Sequence, residues 1–285
     1  MSRSASDRTE PPPGPPWDEP IERAPLCFVD LEMTGLRAAD DRVIEVCIER
    51  VRGDRIEAEL TSLVRPDGGA FGNAHIHGID PEEVDRAPSF LDLAPRIEAA
   101  LEGGILVAHA ASWDVAFLEA ELARAGRPRR IRHYLDTLAL SRRAFAFASH
   151  RLEALCHELG IERARAHRAA DDVAALRVVF ARASAILAPR TPRDLWHVRV
   201  GQRYARPEVL EAARSAATGG PVRVRYRPAH RAPEDLLFQV TAVRTELDPP
   251  RVLGYLLPSR SRRDLRADRI LAIEPCGSTG SDDST

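Results

Sequence analysis

Apolar residues in this chain recur with two different periods, and the change from one to the other outlines its elements. Short runs with strand character fall at residues 25–30, 43–48 (VIEVCI) and 56–64, the last with partial apolar–polar alternation. Asp80 then stands as the N-cap of a helix with Pro81 in its first position, and residues 91–101 carry apolar positions at helical spacing up to Gly103-Gly104. A buried-type strand at 105–108 runs directly into a helix at 113–125, stopped by Gly126. Asp136 is placed to cap a helix beginning at Thr137, and further helices are predicted at 152–159 and 169–187. Three strands followed by mixed helices and strands predict an α/β domain built on a mixed sheet, spanning residues 23–189.

The pattern then shifts. Between residues 190 and 205, Arg190, Arg193, Arg199 and Arg203 face only Asp194, which reads as a basic connector. A helix at 207–217 ends at Gly219-Gly220, and after it come strand candidates only: 222–226 (VRVRY), 236–243, 252–257 and 270–273. Residues 206–275 are therefore expected to form a small, barrel-like β module. Residues 1–22, which include PPPGPP, read as a disordered leader, and 276–285 as a flexible tail.

Composition narrows the class. With 285 residues, 44% hydrophobic and 29% charged, the chain is an ordinary globular protein able to build real cores. All 41 basic residues are Arg, and the net charge of -2 does not by itself point to nucleic acid, although a mean can hide a basic patch. Cys27, Cys47, Cys156 and Cys276 form no CxxC pair, which argues against a zinc or thioredoxin-type centre; Cys27 and Cys47 lie in apolar runs as core thiols. No apolar stretch reaches the roughly 18 residues of a membrane span. The N-terminus lacks a signal-peptide layout, so the expected compartment is cytoplasmic and no membrane partner is expected.

Three acidic segments interrupt this ordinary picture. In FVDLEMTGL, Asp30 and Glu32 are two residues apart on a strand and so project from the same face. A D-x-E at a solvent-facing strand end is commonplace. Here, however, the preceding run is continuously apolar and Thr34-Gly35 makes a tight exit. Two anions that close repel unless they are solvated or share a cation. Downstream, a second buried strand leads through His109 to Asp114 in the first turn of a helix, a position that the helix dipole favours for any acid. A third acid site, Asp172, opens the 169–187 helix five residues after His167, and the two can face one cleft if His167 precedes the helix. An all-oxygen carboxylate set suits Mg²⁺ or Mn²⁺ rather than zinc.

Together these segments resemble the DEDDh family of 3′-to-5′ exonucleases, which includes polymerase proofreading subunits such as DNA polymerase III epsilon, RNase T-like enzymes and other exoribonucleases. Asp30 and Glu32 match its D-x-E motif; His109, Asp114, Phe117 and Leu118 match H-x(4)-D-x(2)-F-L; His167, Ala169 and Asp172 match H-x-A-x-x-D. Ile76-His77-Gly78-Ile79 and Leu135-Asp136-Thr137-Leu138 resemble further family segments. Ala110 and Trp113 depart from the usual Asn and Phe of the second motif. DLEMTGL is similar to the oligoribonuclease branch, whereas HRLEALCHELGI is similar to the proofreading branch.

The resemblance implies an RNase H-like fold and two metal ions ~3.5–4 Å apart for in-line phosphoryl displacement. Asp30 would bridge both, Glu32 and Asp172 would complete the site of the metal beside the nucleophile, and Asp114 would hold the other. His167 would take the proton of the attacking water. Met33, Thr34, Gly35, His77 and His109 would contact the substrate. The expected substrate is the 3′ end of single-stranded DNA, favoured over RNA, released as nucleoside 5′-monophosphates, with a DNA polymerase or a sliding clamp as possible partners. The alternatives are RNA turnover, or a catalytically silent nucleic-acid-binding module. The segments VLGYLL and RDLRADRI resemble the WYL domain, an SH3-like barrel, and the Arg cluster at 260, 262, 263, 266 and 269 suggests a nucleic-acid contact there.

Overall fold

In the computed structural model, residues 9–67, 78–145, 147–163, 168–200, 205–228, 233–247 and 249–276 are described. The chain divides into two compact units, Met1–Val200 and Gly201–Thr285.

The first unit is built on a five-stranded sheet of order β3-β2-β1-β4-β5. Its strands are β1 (Pro25–Met33), β2 (Val43–Arg52), β3 (Arg55–Leu63), β4 (Ile105–Ala108) and β5 (Leu135–Asp136). The β1/β2 and β2/β3 pairs are antiparallel, and β1/β4 and β4/β5 are parallel, so the sheet is mixed as expected. The helices are α1 (Pro81–Asp85), α2 (Phe90–Leu101), α3 (Ser112–Arg124), α4 (Thr137–Ala144), α5 (Leu152–Leu159), α6 (Ala169–Leu187) and α7 (Pro192–Arg199). Strand alternation divides β1 between two cores. Cys27, Val29 and Leu31 enter the cluster that holds Phe90, Leu93 and Ile97 of α2 and Val115, Phe117 and Leu118 of α3. Phe28, on the other face, meets Phe180 of α6 edge-on at 5.4 Å.

That aromatic contact sets the depth of α6. From Phe180 back to Asp172 is eight residues, about 12 Å of helix at 1.5 Å per residue. From Phe28 forward to Glu32 is four residues, about 13 Å of strand. The helix and strand run in opposite senses, so the two lengths bring Asp172 level with Glu32 at the carboxyl end of β1.

Two expectations for the flanks change. Residues 9–22 are not a disordered leader: Trp17 is 5% exposed and meets Trp196 at 5.9 Å and His133 at 6.2 Å, both edge-on. The Arg193 guanidinium gathers the segment, donating to Asp18 (2.6 Å) and to the carbonyls of Pro11 and Pro12 (2.9 Å each). A proline-rich composition removes helix and sheet without preventing order when an aromatic anchor is present. Likewise the expected connector begins with α7, where Asp194 Oδ2 accepts from the Arg190 and Thr191 N–H groups and Trp196 is fully buried. Arg199 lies over the Tyr134 ring at 3.7 Å, so it is a packing residue rather than a linker charge. Arg203 lies outside the described residues. Trp196→Ala should cost about 3–5 kcal/mol and lower the melting temperature of the first unit by roughly 10 °C, read by thermal unfolding. A change within error would show that this end of the chain is dispensable.

The second unit places helix α8 (Pro207–Ala217) with an antiparallel sheet of order β10-β6-β7-β8-β9. Its strands are β6 (Val222–Tyr226), β7 (Glu234–Arg244), β8 (Arg251–Leu256), β9 (Ser261–Arg266) and β10 (Ile270–Pro275). Val209, Ala213, Val224, Phe238, Val240, Val252 and Ile270 form its core. Among the described residues the edge strands β9 and β10 do not pair, so the sheet is open and not the closed SH3-like barrel expected of a WYL domain. Strand β9 (SRRDLR) carries one buried apolar residue, Leu265, as suits a charged edge strand. Part of the Arg cluster is internally neutralised: Arg266 pairs with Asp268 at 2.7 Å. The DLLF segment, which faintly resembles a clamp-binding peptide, lies in β7 with Phe238 fully buried, so it is core.

Candidate active site

Four acids meet at the carboxyl ends of β1 and β4. Asp30 and Glu32 project from one face of β1, and Asp172 comes from the first turn of α6; their carboxylate oxygens lie within 4.8 Å of one another. A β-bulge between Glu32 and Met33 ends the regular pairing with β2 immediately after the second acid. Asp114 belongs to the first turn of α3, is 5% exposed, and is the foremost charged neighbour of Asp30 without belonging to the tight triad.

Electrostatics show how costly this gathering is. Asp30 keeps some surface, yet its carboxyl is enclosed by protein; burial first, then Asp114, Asp172, Glu32 and Glu45, push its pKa well above the usual range. Glu32 is pushed up to about 7 by burial and then by Asp172 and Glu45, with Arg163 and Arg168 opposing. Asp114 is pushed up to about 8, burial leading, with Asp136 and Glu32 adding and backbone hydrogen bonds resisting. The donor set is all carboxylate, convergent and short of positive charge, which fits a hard divalent cation. Among the described residues, Arg163 donates to Asp172 Oδ1, which offsets part of the triad's charge.

Glu45, which the sequence did not single out, is a positioning residue beside the acids. It sits opposite Glu32 on β2, 2% exposed, and accepts from Arg168 at 2.9 Å and from the Ala169 N–H at 3.0 Å. It thereby clamps the start of α6 and fixes where Asp172 lies. The only sequence signal was an acid inside the apolar run VIEVCI. Asp136 has a comparable duty: its Oδ1 accepts from Leu138 N–H, capping α4, and from Ala110 N–H, each at 3.0 Å. The second bond holds Ala110 in the left-handed conformation (φ 56°) that turns the chain from β4 toward α3.

The expected substrate residues have structural duties of their own. Met33 packs against the main core. Thr34 Oγ1 accepts from Arg42 N–H at 2.9 Å, closing the 34–42 loop. A Cβ on Gly35 would press on the Asp41 carboxylate, which accepts from Arg37 N–H, so a larger residue there would displace that contact. The two ring nitrogens of His109 are both engaged, with the His150 carbonyl and the Thr137 hydroxyl at 2.9 Å. Burial lowers its pKa, and the Nε2 contact, which faces a carbonyl, is a donation from the ring. His77 and His167 lie outside the described residues.

With this geometry in place, the comparisons decide the family. The pattern of the RNase_T exonuclease family matches residues 27–180, which takes in all four acids. The chain belongs to this exonuclease family. Its first unit is thus a domain of this exonuclease family, and the match ends before the second unit begins. Among relatives, the chain is 30% identical over 167 residues to the PolC-type DNA polymerase III of Thermotoga petrophila, covering 58% of this chain and 12% of that protein. It is 30% identical over 163 residues to the DNA polymerase III epsilon subunit of Treponema pallidum, covering 56% of this chain and 76% of the subunit. The chain is also similar in fold to solved structures of exonuclease I. One is a zinc-bound complex of the E. coli protein with single-stranded DNA (TM-score 0.53, 20% identity, 82% of this chain and 54% of that one). Another comes from Methylocaldum szegediense (TM-score 0.50, 19% identity, 88% and 65%). Among the described residues no helix is long and apolar enough to cross a membrane.

Proposed function

We propose that the exonuclease domain hydrolyses the terminal phosphodiester bond at the 3′ end of single-stranded nucleic acid, DNA before RNA, and releases nucleoside 5′-monophosphates. The carrying observation is the convergence of Asp30, Glu32 and Asp172 within 4.8 Å, beside buried Asp114, in a chain of this family. The preference for DNA rests on relatives named as DNA polymerase III subunits. Working alongside a DNA polymerase is part of the same proposal.

Asp30, Glu32 and Asp172, with Asp114 beside them, would hold the divalent ions, which we take to be two Mg²⁺ or Mn²⁺. When bound, such ions supply Lewis-acid charge to the phosphoryl and leaving oxygens. The chain's own residues do the rest. Glu45, by holding Arg168 and the Ala169 N–H, keeps Asp172 in position; Asp136 keeps the β4 exit, and hence Asp114, in position. His167, carried over from the family motif, would accept the proton of the attacking water.

The test is degradation of matched 5′-labelled single-stranded DNA, RNA and a short RNA oligomer, with Mg²⁺, with Mn²⁺ and with chelator. Stepwise loss of 5′-monophosphates from the 3′ end of DNA, abolished by chelator, is expected. Faster loss of RNA would replace the substrate assignment, and no turnover with either metal would reject the enzyme in favour of a silent binding module.

A further inference from the structure

A second feature lies farther along the same sheet edge. A cavity of about 490 Å³ is lined by His109, Leu138, Arg142, Ser149, His150 and Arg151 among others, and no acid lines it. Arg142 and Arg151 are both exposed, and neither guanidinium has an ion pair or hydrogen bond among the described residues. They differ in this from Arg42, Arg52, Arg127, Arg130, Arg168, Arg177 and Arg193 of the same unit, which are paired with acids.

The walls of the cavity are fixed in advance. His109 Nε2 holds the His150 carbonyl at 2.9 Å, and His150 Nδ1 meets Ser141 Oγ at 3.1 Å, so the segment bearing Arg151 is tied to both β4 and α4. Asp136 pins the Ala110 turn on the other side. His109 is thus a positioning residue, and ordering these arginines on binding costs less than it would in a free loop.

Placement supplies the ligand. The parallel strands β1, β4 and β5 end at one edge, with the acids after β1, His109 after β4, and Arg142 in the helix after β5. Strands spaced about 4.8 Å apart put the cavity roughly 10 Å from the acids. A nucleic-acid strand carries one phosphate per about 3.4 Å of axial rise when stacked. We propose that Arg142 and Arg151 bind backbone phosphates two or three nucleotides upstream of the terminal one, the guanidinium fork matching phosphate oxygens and the apolar wall at Leu138 facing sugar or base. This subsite rests on the exonuclease reading for its position and on its own residues for its chemistry.

The experiment uses the full chain with Arg142→Gln/Arg151→Gln, two exposed positions that leave the core intact. With metal, KM for a single-stranded DNA dodecamer should rise about tenfold with kcat held, and the rise should vanish on a dinucleotide too short to reach the cavity. In chelator, binding of the dodecamer followed by anisotropy should show a log K against log salt slope shallower by about 1.4, about 0.7 per lost phosphate contact. An unchanged slope overturns the proposal. An equal KM rise on the dinucleotide also overturns it, because the arginines would then serve the terminal nucleotide. Competition by a free nucleoside 5′-monophosphate that disappears in the variant overturns it in favour of a product pocket. If the wild-type protein hydrolyses nothing while the slope still falls in the variant, the phosphate subsite stands and the exonuclease reading fails.

Discussion

Asp30→Asn abolishes hydrolysis, by about 10³-fold or more, while raising the melting temperature of the protein in chelator. The first half follows from position: Asp30 is central to the acid cluster, and losing a group that holds the charge stabilising the transition state costs several kcal/mol of barrier. The second half follows from what surrounds it. Burial and four neighbouring acids disfavour its ionised form, so without a cation the carboxyl costs the folded state free energy that it does not cost the unfolded chain. An amide of the same shape carries no charge, and a gain of a few degrees is expected. Turnover above about a tenth of wild type in a metal-replete assay would remove Asp30 from the site. A lower melting temperature in chelator would show that its carboxylate stabilises the fold.

The second large effect is a dependence of stability on pH that metal reverses. Glu32, at about 7, and Asp114, at about 8, both stand above their unfolded values. Between the unfolded and folded pKa values the folded state binds more protons than the unfolded, so stability is highest near about pH 4–5 and declines as pH rises toward about 8. A divalent cation needs these carboxylates ionised, so its binding is strongest where the metal-free protein is weakest. Thermal unfolding in chelator should show the melting temperature falling from about pH 5 to about pH 8, with millimolar Mg²⁺ or Mn²⁺ adding more degrees at the higher pH. A melting temperature flat in pH without metal, or a larger metal increment at the lower pH, would contradict the burial of these acids.

What the sequence disclosed depended on whether a residue's duty is local. Asp30 and Glu32 were legible because a strand puts alternate residues on one face, and Asp114 and Asp172 because each opens a helix at a recurring motif. Glu45 was not legible. Its partners, Arg168 and the Ala169 N–H, are more than a hundred residues away along the chain, and no local period announces them. Helix α7 was hidden because four arginines suggested a linker, whereas Arg193 and Arg199 are spent on acids, carbonyls and aromatic rings. Strand β9 was hidden because an edge strand needs only one inward apolar residue. The closed barrel failed for a related reason: closure requires the first and last strands to meet, and a list of strands carries no information about that.

The Phe28–Phe180 contact has a consequence for how this domain can vary. It works as a fulcrum from which strand and helix are measured out to the same end point. Chemical change at one acid removes a charge but leaves the other carboxylates where they are. Adding or removing one residue between Phe180 and Asp172 would instead swing that carboxylate about 100° around the helix and out of the cluster. The number of residues between fulcrum and acid therefore sets the site's geometry, whereas a loop outside that span can change length without moving Asp172 along its helix.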